Sequence, residues 1–191
     1  TILLHYNRDE IEIYLISNQK DPTTISTEIS NLVFRTIDIN QLNDLSALNK
    51  IRELNLDIMI DVMGYTSRNR IALFKNRIAK KQVIWMGYCN TTGLKNMDYI
   101  ISDKNLIRPD EEKFYSEKVV HLSKIWNTHC GFDFERKENP PPLLKNNYIT
   151  FGSFNNYDKI NSYVISAWSK ILKKISNSKL ILKTSSKKAA T

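Results

Sequence analysis

Along this chain, blocks of alternating or continuous apolar residues take turns with blocks in which apolar positions recur every three or four residues. "EIEIYLIS" (10–17) alternates and is rich in β-branched residues, which predicts a strand; "TTISTEISNL" predicts a short helix and "VFRTIDI" a second strand. From Gln41 to Leu54, Leu42, Leu45, Leu48, Ile51 and Leu54 recur every three residues and predict one side of a helix. "LDIMIDVM" is nearly continuous in apolar residues, as strands covered on both faces of a parallel sheet are. Arg70 to Arg77 predicts another helix, and "QVIWMGY", "DYIISD" and "KVVHLS" predict three short strands. Strands and helices in this alternation predict an α/β layered fold with a mainly parallel sheet.

The stretch "GFDFERKENPPPLLKNN" interrupts the pattern. Pro140, Pro141 and Pro142 are expected to continue neither helix nor strand, so a domain boundary is placed there. The expected division is a first domain over 1–135, a linker over 136–147 and the start of a second domain over 148–191. That second part reads as one β-α-β unit with a right-handed crossover. "YITFGSF" is its first strand and "KLILK" its second; between them Ile160, Val164, Ile165, Trp168, Ile171, Leu172 and Ile175 mark the apolar face of a helix.

With 191 residues and 41% hydrophobic content, the chain can bury a substantial core. No apolar run approaches the roughly 18 residues of a membrane span, and no secretory signal is recognisable, so a soluble, cytoplasmic protein is expected. Cys89 and Cys130 lack metal-type spacing, which speaks against a zinc site or a disulfide framework. Asn90-Thr91-Thr92 matches a glycosylation pattern, and without a secretory signal such matches are accidental. The net charge of +8 is scattered rather than gathered into an aromatic-interleaved stripe. It suits a solvated basic surface or a phosphorylated small molecule better than nucleic acid. The chain starts at Thr1, "TILLHYN" looks like the last turns of a helix, and "KTSSKKAAT" follows a strand and stops; a fragment of a longer protein is expected.

One loop concentrates polar chemistry. Asn155, Asn156, Tyr157, Asp158 and Lys159 lie between the strand "YITFGSF" and the following helix. In open parallel sheets, ligands bind beyond the carboxyl ends of strands, and a helix start favours phosphate through its N–H groups and dipole. Lys159 would add a full charge, and the two asparagines can donate and accept hydrogen bonds. The competing reading is structural: asparagine is at home in turns, Asn161 or Ser162 can cap the helix, and Lys159 can be a solvated lysine.

Several ordered blocks decide between these readings. "DVMGYTSRNRIALFKNRIAKKQVIWMGYCNTTGLKNMDYIISD", "FYSEKVVHLSKIWN", "FGSFNNYDKI" and "AWSKILKKISNSKLILK" resemble the catalytic region of the O-GlcNAc transferase and SPINDLY family, from about Asp57 to Lys183. The resemblance implies a GT-B glycosyltransferase, in which two Rossmann-like domains face each other across a cleft, commonly preceded by tetratricopeptide repeats. This chain would hold most of the first domain and the opening β-α-β unit of the second. The implied reaction moves GlcNAc or fucose from UDP-GlcNAc or GDP-fucose to Ser or Thr hydroxyls of a protein acceptor, with inversion and with no metal or other cofactor.

By motif position, the family's "FNNxxK" loop assigns Asn156 and Lys159 to the donor diphosphate, with Lys159 as the catalytic residue and Asn155 as a further donor-binding candidate. Departure of a nucleoside diphosphate builds negative charge, which a preplaced ammonium and amide donors stabilise. "GYCNTTG" resembles the family's "GYPNTTG", which implies that Thr91, Thr92 and Gly93 sit beside the transferred sugar; Cys89 replaces the usual proline. "DVMGYT" resembles a block at the cleft edge, so Gly64, Tyr65, Thr66 and, from the next block, Tyr88 are expected to line the cleft. Family histidines and nucleotide-gripping residues lie outside this sequence, so the piece alone is expected to be inactive. His121 and His129 are expected to be structural or exposed, without a partner to make either a base. Trp85, Trp126 and Trp168 are expected in the core. The alternative function is a non-catalytic α/β interaction module beside a repeat domain.

Overall fold

The structure is a computed structural model that describes residues 2–128, 131 and 139–183. His129, Cys130, the stretch 184–191 and the start of the expected linker lie outside the described residues. The chain folds as two compact units, Thr1–Gly131 and Phe132–Thr191.

In the first unit, β1 (Tyr14–Ser17) pairs in parallel with β2 (Arg35–Asp38), and α1 (Thr24–Ser30) lies between them in sequence. Thr23 and Ser26 start α1 with a reciprocal cap: Ser26 N–H donates to Thr23 Oγ1 at 3.2 Å, and Thr23 N–H donates to Ser26 Oγ at 2.6 Å. α2 (Asp44–Arg52) starts at Asn43, whose side-chain oxygen accepts from Ser46 N–H at 2.8 Å. Its buried residues are Ala47, Leu48 and Ile51, whereas Leu45 is 68% exposed. The expected stripe fails at Leu45 because a three-residue step falls short of a helical turn and drifts about 60° each time.

β3 (Ile58–Asp61), β4 (Lys81–Ile84), β5 (Tyr99–Ser102) and β6 (Lys118–His121) form one parallel sheet in that order. Met59, Ile84 and Ile100 on one face join Ile37, Ile39, Ile51, Phe74 and Ile107 in the core. Each large side chain so buried contributes about 1.5–3 kcal/mol. Gln82 is fully buried on the same face and fully used. Its Oε1 accepts from Ile78 N–H at 2.8 Å, and its Nε2 donates to the Asn96 and Phe74 carbonyls at 2.7 and 3.3 Å. The opposite face departs from the expectation of cover on both sides. Ile58 and Ile60 of β3 and Val62 just after it are 57, 41 and 51% exposed, whereas Val83, beside Ile60 on the same face, is 7% exposed, so this face is covered only in part.

Residues 70–77, expected as an α-helix, form only a 3-10 turn at Ile71–Lys75. Short segments close readily as 3-10 turns, and this one is held by burial of Ile71, Leu73 and Phe74. Arg70, just before it, gathers distant segments. It donates to Asn18 Oδ1 at 3.0 Å, Asp44 Oδ1 at 3.0 Å, the Leu42 carbonyl at 3.1 Å and the Ile39 carbonyl at 3.4 Å.

In the second unit, α3 (Pro142–Asn146) opens where no helix was expected. Pro142 occupies the first helical position, where its fixed φ fits and its missing N–H is not needed; Asn147, at φ 59°, ends the helix. β7 (Ile149–Ser153) pairs in parallel with β8 (Ser178–Leu182), and α4 (Ser162–Lys174) connects them. Asn161 caps α4 by accepting from Val164 N–H at 3.1 Å. Val164, Trp168, Leu172 and Ile175 form its half-buried stripe, whereas Ile165 and Ile171 are exposed. An apolar hollow of about 160 Å³ lies among Phe151, Trp168, Ile171, Leu172 and Leu180. It is smaller than the roughly 300–1,000 Å³ of ligand pockets.

The tryptophans are half-buried rather than core. Trp85 Nε1–H donates to the Trp126 carbonyl at 2.7 Å, and this need for an acceptor keeps the ring at the core margin. His121, expected without a partner, has Nε2 at 2.8 Å from Glu112 Oε1. Among the described residues, no helix is long and apolar enough to cross a membrane.

Candidate functional site

β3 ends at Asp61, whose buried carboxylate accepts the Met63 and Gly64 N–H groups at 3.1 and 2.7 Å. Burial raises the Asp61 pKa, and the two backbone hydrogen bonds oppose that rise. The carboxylate thereby shapes the turn that carries Gly64, Tyr65 and Thr66. Gly64 has φ +54°, and a Cβ there would lie 2.3 Å from Tyr88 Cβ and Cγ. At Gly87 a Cβ would fall 1.7 Å from the Val62 carbonyl oxygen. Glycine at both positions lets the turn after β3 and the loop after β4 touch. The Tyr65 and Tyr88 rings then meet edge to face, with centroids 5.7 Å apart. Thr66 Oγ1 donates to the Met63 carbonyl at 2.8 Å, so its proton is used within its own turn.

The loop after β4 continues to Thr91, Thr92 and Gly93. The Tyr65 hydroxyl donates to the Thr92 carbonyl at 2.6 Å. On its other side the loop is held by Glu117, which immediately precedes β6 and is 3% exposed. Thr91 Oγ1 donates to Glu117 Oε2 at 2.8 Å, Thr92 N–H donates to Glu117 Oε1 at 2.7 Å, and Thr92 Oγ1 donates to that same oxygen. Gly93 is exposed at φ +68°, with open space where a Cβ would stand. The expected residues Gly64, Tyr65, Tyr88, Thr91, Thr92 and Gly93 are thus one bonded cluster within the first unit, and Thr66 closes the same turn.

The remaining candidates belong to the second unit. Asn155 Oδ1 accepts from Asn156 N–H at 2.8 Å, Asn156 Oδ1 accepts from Asp158 N–H at 3.2 Å, and Tyr157–Lys159 makes a 3-10 turn. The side-chain oxygens therefore build the turn, while the two NH2 groups have no partner among the described residues. Asn161, and neither Asn155 nor Asn156, caps α4. Lys159 is exposed and, among the described residues, has no ion-pair partner.

The model of glycosyl transferase family 41 matches residues 2–130 of the chain. The chain belongs to glycosyl transferase family 41. It is 37% identical over 146 residues to the probable UDP-N-acetylglucosamine–peptide N-acetylglucosaminyltransferase SPINDLY of Eustoma exaltatum subsp. russellianum, a match covering 76% of this chain and 16% of the relative. The protein of the same name from Petunia hybrida is 36% identical over the same shares. Among solved structures, a mutant of Thermobaculum terrenum O-GlcNAc transferase matches with a TM-score of 0.82 and 27% identity, over 95% of this chain and 34% of that one. The α/β architecture with parallel sheets is accordingly that of a GT-B catalytic region. This family 41 chain spans 16% of the length of the plant relatives.

Sequence reasoning missed two carboxylates of the family 41 cluster. Asp61 was legible in principle, since an acidic residue ending an apolar strand is expected to bond the turn that follows. Glu117 was not. It sits between Ser116 and Lys118, where a glutamate reads as a solvated charge, and it precedes a strand instead of following one.

Proposed function

We propose that this chain is a catalytic-region segment of a glycosyltransferase that moves a sugar from a nucleoside-diphosphate donor to Ser or Thr hydroxyls of protein. Family 41 membership supports the transferase class. The observation that carries the reading is the family 41 match over residues 2–130; the exposed Lys159 ammonium, without an ion-pair partner among the described residues, and the two neighbouring asparagines with uncommitted NH2 groups are compatible with it. These are the donors that a departing diphosphate needs: charge accumulates on its oxygens as the glycosidic bond breaks, and preplaced cation and amide groups stabilise it. Asn155, Asn156 and Lys159 are assigned to the diphosphate, the Thr91–Gly93 loop to the sugar, and Gly64, Tyr65, Thr66 and Tyr88 to the cleft lining.

The names of the plant relatives put UDP-GlcNAc first among donors; GDP-fucose is the second candidate. No metal cofactor enters the proposal; tetratricopeptide repeats elsewhere in the parent protein and a cytoplasmic location do. The test is a titration of the full-length protein with each donor, followed by turnover assays of Lys159→Ala. Saturable binding of one donor, and a loss of kcat of about 10²–10³ in the variant with its circular dichroism unchanged, is the expected result. A protein that binds neither donor is instead an interaction module, and unchanged turnover removes Lys159 from the chemistry.

A further inference from the structure

The two threonine hydroxyls of the Thr91–Gly93 loop have no proton left for a ligand. Thr91 Oγ1 gives its proton to Glu117 Oε2 at 2.8 Å and receives the Ser116 and Gly93 N–H groups at 3.1 and 3.3 Å. Thr92 Oγ1 gives its proton to Glu117 Oε1 and receives Leu94 N–H at 3.2 Å. A hydroxyl has one proton and two lone pairs, so Thr91 is saturated, and Thr92 is in addition buried. What the loop still presents outward is main chain, above all at Gly93, where no side chain stands over the backbone and none of the described residues fills the space.

Glu117 is the reason for this arrangement. It is buried and, among the described residues, has no cationic partner within ion-pair distance. A buried carboxylate is costly unless its charge is compensated. Here compensation comes from three donors, all on the loop, in charge-assisted bonds that are stronger than neutral ones. The dependence runs both ways: the carboxylate needs the loop, and the loop is held in one conformation by the carboxylate. Tyr65 fixes the same segment from the other side through the Thr92 carbonyl.

We propose that Glu117 is the positioning residue of the sugar-binding loop, clamping Thr91 and Thr92 inward so that main-chain groups around Gly93, and not the threonine hydroxyls, meet the donor sugar. The role rests on the transferase reading above and assigns Glu117 no contact with the substrate. Its loss loosens the loop, weakens donor binding and leaves the protein acceptor unaffected.

The experiment uses the full-length protein with the donor that saturates it. Glu117→Gln keeps the volume but turns one acceptor oxygen into a donor facing other donors. It is expected to raise the donor KM about tenfold, the equivalent of the two or so hydrogen bonds disturbed, while the acceptor KM stays within twofold. Thr91→Val and Thr92→Val act through the same carboxylate, so each combined with Glu117→Gln is expected to add no further loss. If Glu117→Gln fails to fold, the Thr91→Val/Thr92→Val pair carries the test, and its combined effect is expected to fall short of the product of the single effects. Unchanged donor KM in Glu117→Gln, or multiplicative effects in the combinations, overturns the clamp. Absence of any donor binding by the unsubstituted protein overturns the transferase reading and the clamp together; donor binding indifferent to Glu117 overturns the clamp alone.

Discussion

The Tyr65 hydroxyl donates to the Thr92 carbonyl at 2.6 Å, joining the turn after β3 to the loop after β4 across 27 residues of sequence. Tyr65→Phe removes that bond and keeps the edge-to-face contact with Tyr88. The expected cost is about 1 kcal/mol in urea unfolding. The donor KM should rise by a few-fold at the same time. A variant that loses stability but binds donor normally would show the bond to be purely structural.

Gly87 and Gly93 should respond to alanine in opposite ways. At Gly87 the new Cβ meets the Val62 carbonyl oxygen, which is backbone and has nowhere to go; Gly87→Ala is expected to cost more than about 3 kcal/mol. At Gly93 the space is open and only the positive φ penalises a side chain, so Gly93→Ala should cost about 1–2 kcal/mol. Thermal unfolding of the two full-length variants, side by side, decides whether contact or conformation governs this loop.

Gln82 is a polar residue in an apolar place, and its value lies in what it satisfies. Gln82→Leu would leave Ile78 N–H and the Asn96 and Phe74 carbonyls without their partner. A loss of about 2–4 kcal/mol is expected despite the gain in hydrophobicity, read as a lower urea midpoint at unchanged m-value.

Acid should unfold the first unit partly through Asp98. Arg77 hydrogen-bonds the Asp98 carboxylate and holds its pKa below the ordinary carboxylate range; burial opposes this, and Gln82 N–H, at 2.7 Å, assists it. A carboxyl with a depressed folded-state pKa stabilises fully above its unfolded value of about 3.9, and that stabilisation disappears as pH falls through the folded value. The melting temperature should therefore drop below about pH 4, and Arg77→Met should shrink the part of the drop that wild type shows beyond it. Parallel melting curves for the two proteins across pH 2–6 would expose a wrong assignment of the partner.

Strand positions were legible because period-two and continuous apolar runs mark them: six of the eight strands fall inside the stretches read as strands, and Lys81–Ile84 and Ser178–Leu182 each begin one residue before theirs. Helical content was less so. Ile71–Lys75 has helical-looking spacing yet closes as a 3-10 turn, and Pro142, read as a barrier, begins a helix. In the candidate site, the loops that carry Gly64, Thr91 and Lys159 were visible as local motifs. Glu117 was invisible because its role consists of bonds to residues about 25 positions away, and nothing in its own neighbourhood marks a buried charge.

The guanidinium of Arg70 holds Asn18, Ile39, Leu42 and Asp44, all of which precede it in the chain. During synthesis, a ribosome that has delivered every one of those segments has not yet delivered the group that ties them. These four ties between the segments before position 70 therefore form only after translation has passed it.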